Sequence, residues 1–156
     1  MKTNTFTELN GAGMRIAVVA ARFNAVLTDA LLEGCLAGLA SAGVAADQIV
    51  ADRVPGSFEL PIAAEVLAAQ KRFDAIICLG VLIKGETKHD EYIADAAAQG
   101  LTNVSIKHGV PVMFGVLTTE NVAQAEARSF GEKNKGWEVA MSAVETVLCV
   151  RRLQSS

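Results

Sequence analysis

Four strand-length segments recur along the chain, and after each one the apolar residues switch to a spacing of three or four. The first, Arg15–Ala20, lies between Gly13 and Arg22 and predicts a buried strand. Asn24 then stands at an N-cap position, and Leu27, Leu31, Cys35 and Leu39 predict a helix reaching Gly43. Ile49–Val54 predicts a second strand, closed by the turn-forming pair Pro55-Gly56. In the helix that follows, Ser57 is the expected cap, Pro61 falls in the first turn, and Ile62, Val66 and Leu67 form the expected inner face. Phe73–Leu82 is apolar throughout, as a strand covered on both faces must be. Thr87 and Asp90 have the spacing of a capping box, and Ile93, Ala97, Gly100 and Leu101 give the next helix its buried stripe. Pro111–Leu117 predicts a fourth core strand, after which Thr118 or Thr119 caps a short helix through Ala127. A last helix spans Asn134–Arg152, with Trp137, Ala140, Met141, Val144, Val147 and Leu148 inward and Arg151 and Arg152 at the negative end of its dipole.

Strand and helix alternate with short connections and without repeats. That alternation predicts an α/β three-layer sandwich: a four-stranded parallel sheet, in flavodoxin-like order, with helices on both faces. Thr3–Leu9 is weakly alternating and adds a short N-terminal edge strand. Residues 1–156 then form one domain, with residues 1–12 as an arm or edge strand and residues 13–153 as the core. In such sheets ligands bind outside the carboxyl ends of the strands, and the polar, glycine-bearing segments fall there.

Composition narrows the class. Hydrophobic residues make up 51% and charged residues 20%, a globular balance, and the net charge of −3 argues against a nucleic-acid surface. The polar N-terminus lacks the apolar core of a secretory signal, and no uninterrupted apolar stretch is long enough for a membrane helix. Cys35, Cys78 and Cys149 are widely spaced in apolar surroundings, which predicts buried reduced thiols and a cytoplasmic protein. No Cys or His pair has the spacing of a zinc site, so no metal is expected.

Chemistry concentrates in Leu79–Asp90, where a buried strand opens through Gly85 toward a helix N-terminus. Backbone N–H groups of Gly85-Glu86-Thr87 would make an anion cradle, although the P-loop pattern is absent. His89, one of two histidines, stands beside that cradle, and histidine is the side chain suited to exchanging protons near neutral pH. His108 reads as a solvated terminal residue. Arg128 reads either as a phosphate clamp or as a surface arginine offsetting its helix dipole. Ser57-Phe58-Glu59 suits a polyhydroxylated ligand, or is a plain cap with Phe58 in the core. Phe23, just past a strand end, could stack on a planar ring, whereas Phe114 reads as core.

Taken in order, several segments resemble the 6,7-dimethyl-8-ribityllumazine synthase family: Ala21-Arg22-Phe23-Asn24, Val54–Pro61, Gly80–His89, Pro111–Glu120, Gln124-Ala125 before Arg128, and Asn134-Lys135-Gly136. The resemblance covers nearly the whole chain, from Gly13 to about Leu148. It implies condensation of 5-amino-6-(D-ribitylamino)uracil with 3,4-dihydroxy-2-butanone 4-phosphate, a transferase reaction of riboflavin biosynthesis that releases phosphate and water without metal or organic cofactor. It places Phe23 on the pyrimidine ring. Ser57, Phe58, Glu59, Val81, Leu82 and Ile83 would hold the pyrimidine and its ribityl chain. Gly85, Glu86 and Thr87 with Arg128 would take the phosphate, His89 would carry protons, and Phe114 and Lys135 would complete the pocket. Positions matching Phe114 and Arg128 reach the site from a neighbouring subunit in the family. The resemblance therefore implies a homo-oligomer, pentameric or larger, with riboflavin synthase as a further partner.

The chain departs from the family pattern at four places, one of them the segment between Arg128 and Lys135, which is short and bears on whether pentamers assemble further. Lys84 stands where arginine is common, Glu86 where the residue is often small, and Asp90 where an aromatic usually follows the histidine. Other readings stay open beside this one: an archaeal-type riboflavin synthase, a non-catalytic flavin- or lumazine-binding paralogue, and a flavodoxin-like binding or signalling module.

Overall fold

A computed structural model describes Phe6 and residues 9–156, so the edge strand expected at Thr3–Leu9 lies, apart from Phe6 and Leu9, outside the described residues. The elements run β1 (Ile16–Ala21), α1 (Ala25–Ser41), β2 (Ile49–Val54), α2 (Leu60–Ala69), β3 (Ala75–Ile83), α3 (His89–His108), β4 (Val112–Thr119), α4 (Val122–Ser129) and α5 (Lys135–Ser155). The four strands pair in parallel in the order β2-β1-β3-β4, so each connection crosses over through a helix.

Side chains of one strand point alternately to the two faces, and the core divides accordingly. Ile16, Val18 and Ala20 of β1 with Ile77 and Leu79 of β3 pack against Leu31, Cys35 and Leu39 of α1 and Ala140 and Val144 of α5. Ala17, Val19, Ile76 and Cys78 pack on the opposite face against Leu60 and Ala64 of α2 and Leu101 and Val104 of α3. Strand β3, paired on both sides, is buried from Ala75 to Leu82, as its unbroken apolar run predicts.

Several local expectations are corrected. On α2 the buried residues are Leu60, Ala64 and Ala68, whereas Ile62 and Val66 are 63% and 55% exposed. The small side chains bring α2 close to its neighbours, and a Cβ on Gly100 of α3 would collide with Pro61. Asn24 takes a left-handed conformation and makes no side-chain cap; its Nδ2 donates to the Val81 carbonyl instead (2.8 Å), tying the exit of β1 to β3. Neither Ser57 nor Thr87 caps the helix after it through its side chain, and no capping box forms at Asp90. Thr118 and Thr119 belong to β4, and the cap of α4 is Asn121, which accepts from the Gln124 N–H (2.9 Å). Phe58 and Phe114 are exposed, and His108 is not solvated: its Nε2 lies 2.9 Å from Glu65 across the α2–α3 contact. Hydrogen bonds from Lys107 and then His108 hold the Glu65 carboxyl below its ordinary range.

Asn134, between α4 and α5, ties three helices together. Its carbonyl accepts from the Gly136 and Trp137 N–H groups, while its amide donates to Ala30 O (2.9 Å) and Ser129 O (2.7 Å). One side chain therefore starts α5 and fixes it against α1 and α4.

Candidate active site

The carboxyl ends of β1, β2 and β3 open into a cleft of about 690 Å³. Parallel strands end side by side there, so the segments that follow them converge without any long excursion. Past β1, Arg22 N–H donates to Val54 O (2.8 Å) and Phe23 N–H to Pro55 O (3.1 Å), which pins the turn and leaves the Phe23 ring 70% exposed over the cleft. Past β2, a single 3₁₀ turn at Ser57–Glu59 sets Ser57 inward and Phe58 outward. That turn sits tightly on β3, because any Cβ at Gly80 would overlap the Ser57 hydroxyl. At the carboxyl end of β3, Val81, Leu82 and Ile83 form the floor, and Lys84 N–H donates to Thr119 O (2.8 Å) before the chain turns through Gly85–Lys88 into α3.

His89 is the first residue of α3 and is exposed on the cleft wall. Its N–H donates to the Thr87 hydroxyl over 3.4 Å, a long contact, and the N–H groups of a helix's first turn have no partner within the helix. A ligand entering the cleft thus meets an aromatic ring, an aliphatic floor, hydroxyls from Ser57 and Thr87, and an imidazole at a helix N-terminus.

The structure brings Phe23, Ser57, Phe58, Glu59, Val81, Leu82, Ile83, Gly85, Thr87 and His89 together in this one cleft. Glu86 lies in the same loop, exposed and outside the lining. Phe114, Arg128 and Lys135 do not line it. Phe114 is exposed on β4, which is an edge strand. Arg128 closes α4 by donating to the Gln124 carbonyl (2.9 Å), and Lys135 pairs with Glu138 (3.0 Å) at the start of α5. The lining contains two carboxylates, Glu59 and Asp90, and no lysine or arginine.

Tyr92 and Ile93 line the cleft without having been anticipated as site residues, and Asn24 and Asp90, which fall within segments expected at the site, line it without having been given a role. For Tyr92 and Ile93 a signal existed: they lie three and four residues after His89, on the same side of a helix. Asn24 was masked by its resemblance to a cap.

Among the described residues no three His, Cys, Asp or Glu side chains gather into a metal-binding group, and no helix is long and apolar enough to cross a membrane. Burial pushes the Cys35 and Cys78 thiols up to about 12, so neither is a thiolate nucleophile near neutral pH.

Residues 13–151 match the family model described as 6,7-dimethyl-8-ribityllumazine synthase. A 6,7-dimethyl-8-ribityllumazine synthase of Syntrophus aciditrophicus (strain SB) is 43% identical over 155 residues, spanning 98% of this chain and 100% of the relative. One from Desulfatibacillum aliphaticivorans is 45% identical over 141 residues, spanning 89% of this chain and 90% of the relative.

Proposed function

The chain belongs to the 6,7-dimethyl-8-ribityllumazine synthase family, and from that premise we propose how its residues divide the work of the reaction. The enzyme is a transferase of riboflavin biosynthesis. It condenses 5-amino-6-(D-ribitylamino)uracil with 3,4-dihydroxy-2-butanone 4-phosphate to the lumazine, releasing phosphate and water.

The observation that carries the assignment of roles is the make-up of the cleft: a stacking ring, an acceptor-rich wall without a cation, and a histidine at a helix N-terminus. Phe23 covers the pyrimidine face, and Ser57, Phe58 and Glu59 with Val81, Leu82 and Ile83 hold the ring and the ribityl hydroxyls. The N–H groups around Gly85, Glu86 and Thr87 receive the phosphate. His89 moves the protons as the amine and ketone form an imine, phosphate departs and the ring closes. Holding two reactive substrates in register supplies much of the remaining acceleration.

A phosphate dianion still needs a positive partner, and this chain's own cleft offers none in its lining. Arg128 is the residue for that task, coming with Phe114 from a neighbouring copy, and Lys135 completes the pocket. The protein in this reading is a homo-oligomer, pentameric or larger, of one domain per chain, and riboflavin synthase is a candidate partner that consumes its product. The unpaired, buried Cys35 and Cys78 support a cytoplasmic location.

Steady-state assay with both substrates tests the reading. Lumazine fluorescence should grow only when both are present, and lumazine supplied alone should remain unchanged. Conversion of lumazine alone would move the protein to the riboflavin synthase reading.

A further inference from the structure

A stacking residue has to hold its ring flat against the ligand, yet packing holds Phe23 only weakly. The side chain is 70% exposed and projects from the turn Arg22–Asn24 between β1 and α1. A ring on a loose turn would have to be ordered at every binding event, at a cost in affinity. The backbone that carries the ring must therefore be fixed from both sides.

On one side two backbone hydrogen bonds tie the turn to the exit of β2, from Arg22 N–H to Val54 O and from Phe23 N–H to Pro55 O. On the other side the tie is a side chain. Backbone pairing of β1 with β3 stops at Ala20 and Leu79, and Asn24 Nδ2 carries the connection on to Val81 O (2.8 Å). Both Asn24 and Val81 line the cleft with Phe23.

Asn24 also sets the direction of the chain. Its φ of 61° and ψ of 50° are left-handed, a region that only Lys71 shares among the described non-glycine residues. Asparagine tolerates this conformation better than most side chains, but the conformation is still unfavourable. It turns the chain directly from Phe23 into α1, whose Leu27 and Thr28 N–H groups donate to the Asn24 carbonyl (3.0 Å each). The side chain gives α1 no cap. A strained residue whose amide serves a strand end in the cleft, and not its own helix, points to a duty at the site.

We propose that Asn24 is a positioning residue for Phe23: its left-handed turn and its bond to the Val81 carbonyl hold the ring in place over the cleft before the pyrimidine arrives. This inference rests on the lumazine synthase reading, in which Phe23 stacks on the pyrimidine. It requires no contact between Asn24 and substrate, so the contribution of Asn24 passes through the ring.

Asn24→Gly accepts the left-handed turn and removes the amide, and Asn24→Asp keeps shape and turn but cannot donate to a carbonyl. Each is assayed by lumazine fluorescence with Phe23 in place and in a Phe23→Ala background. With Phe23 in place, the KM for the pyrimidine should rise about five- to tenfold, the ordinary worth of one hydrogen bond. The KM for the phosphate substrate should stay within about twofold. In the Phe23→Ala background the same substitutions should move the pyrimidine KM by less than about twofold, because no ring is left to misplace. Equal rises in the two backgrounds overturn the proposal, since Asn24 then acts independently of the ring. So does an unchanged pyrimidine KM with Phe23 in place, or an equal rise in both KM values, which is general loosening of the fold. Phe23→Ala with a wild-type pyrimidine KM would sink the stacking reading and this inference with it. An effective Phe23→Ala beside silent Asn24 variants removes the inference alone.

Discussion

Replacing His89 by alanine removes the one imidazole of the cleft while leaving the stacking ring and the aliphatic floor in place. With protons delivered only by solvent, kcat should fall by about a hundredfold or more while each KM moves by less than about threefold. Stopped-flow or steady-state fluorescence reads both numbers, and wild-type-like kcat in His89→Ala would take the histidine out of the mechanism. Residues of this kind are legible in a sequence because they interrupt a pattern. Phe23 is an aromatic after a strand has ended, and His89 is a polar break at a helix start. The role of Asn24 was not legible, since its reach to the Val81 carbonyl depends on two parallel strands ending side by side. Gly80 is the converse case. Within an apolar run it looks like an ordinary small residue, yet it is the space that the Ser57 hydroxyl occupies.

At the scale of elements, hydrophobic spacing located every strand and helix of the core but did not orient all of them. Helix α2 offers two stripes, Ile62–Val66 and Leu60–Ala64–Ala68, and periodicity favours the bulkier one. The sheet takes the smaller one, because two alanines allow a closer approach and leave Ile62 and Val66 facing outward. Caps were equally ambiguous, with threonines before α4 drawn into β4 by its pairing to Leu82 and Ile83. The contact of α1 with α5 is set by a different small residue. A Cβ on Gly136 would overlap the Leu31 carbonyl, a backbone group that no rotamer change can move aside. Gly136→Ala should therefore destabilise the protein by ~2–3 kcal/mol and lower its melting temperature by about 5–10 °C. Calorimetry checks this, and a melting temperature equal to wild type would mean that α5 can slide on α1 more freely than the packing indicates.

For the molecule as a whole, the buried thiols set an alkaline limit. Cys35 and Cys78 ionise only at about 12 when folded, but near the ordinary thiol range when unfolded. The folded state therefore binds more protons than the unfolded state between those values, and stability falls as pH rises through that window. The stabilisation is fully present at neutral pH. Melting temperatures should decline from pH 9 upward, and Cys35→Ala should flatten part of the decline; an unaltered slope in that variant would assign the loss to other groups.

The larger claim about the molecule is that one chain carries only part of a site. Its cleft holds the histidine, the stacking ring and the acceptors, while Arg128 stands outside the lining. The family resemblance implies that separation, whereas hydrophobic spacing alone does not, because residues on one list of motifs need not meet in one subunit. Co-expressing His89→Ala and Arg128→Ala chains under different tags, and purifying oligomers that carry both, tests this most directly. Each parent should be nearly inactive, and the mixed oligomer should regain about a quarter of wild-type turnover, the fraction of sites with an intact pair in a randomly filled ring. Mixed oligomers no more active than their parents would contradict a site shared between neighbouring chains.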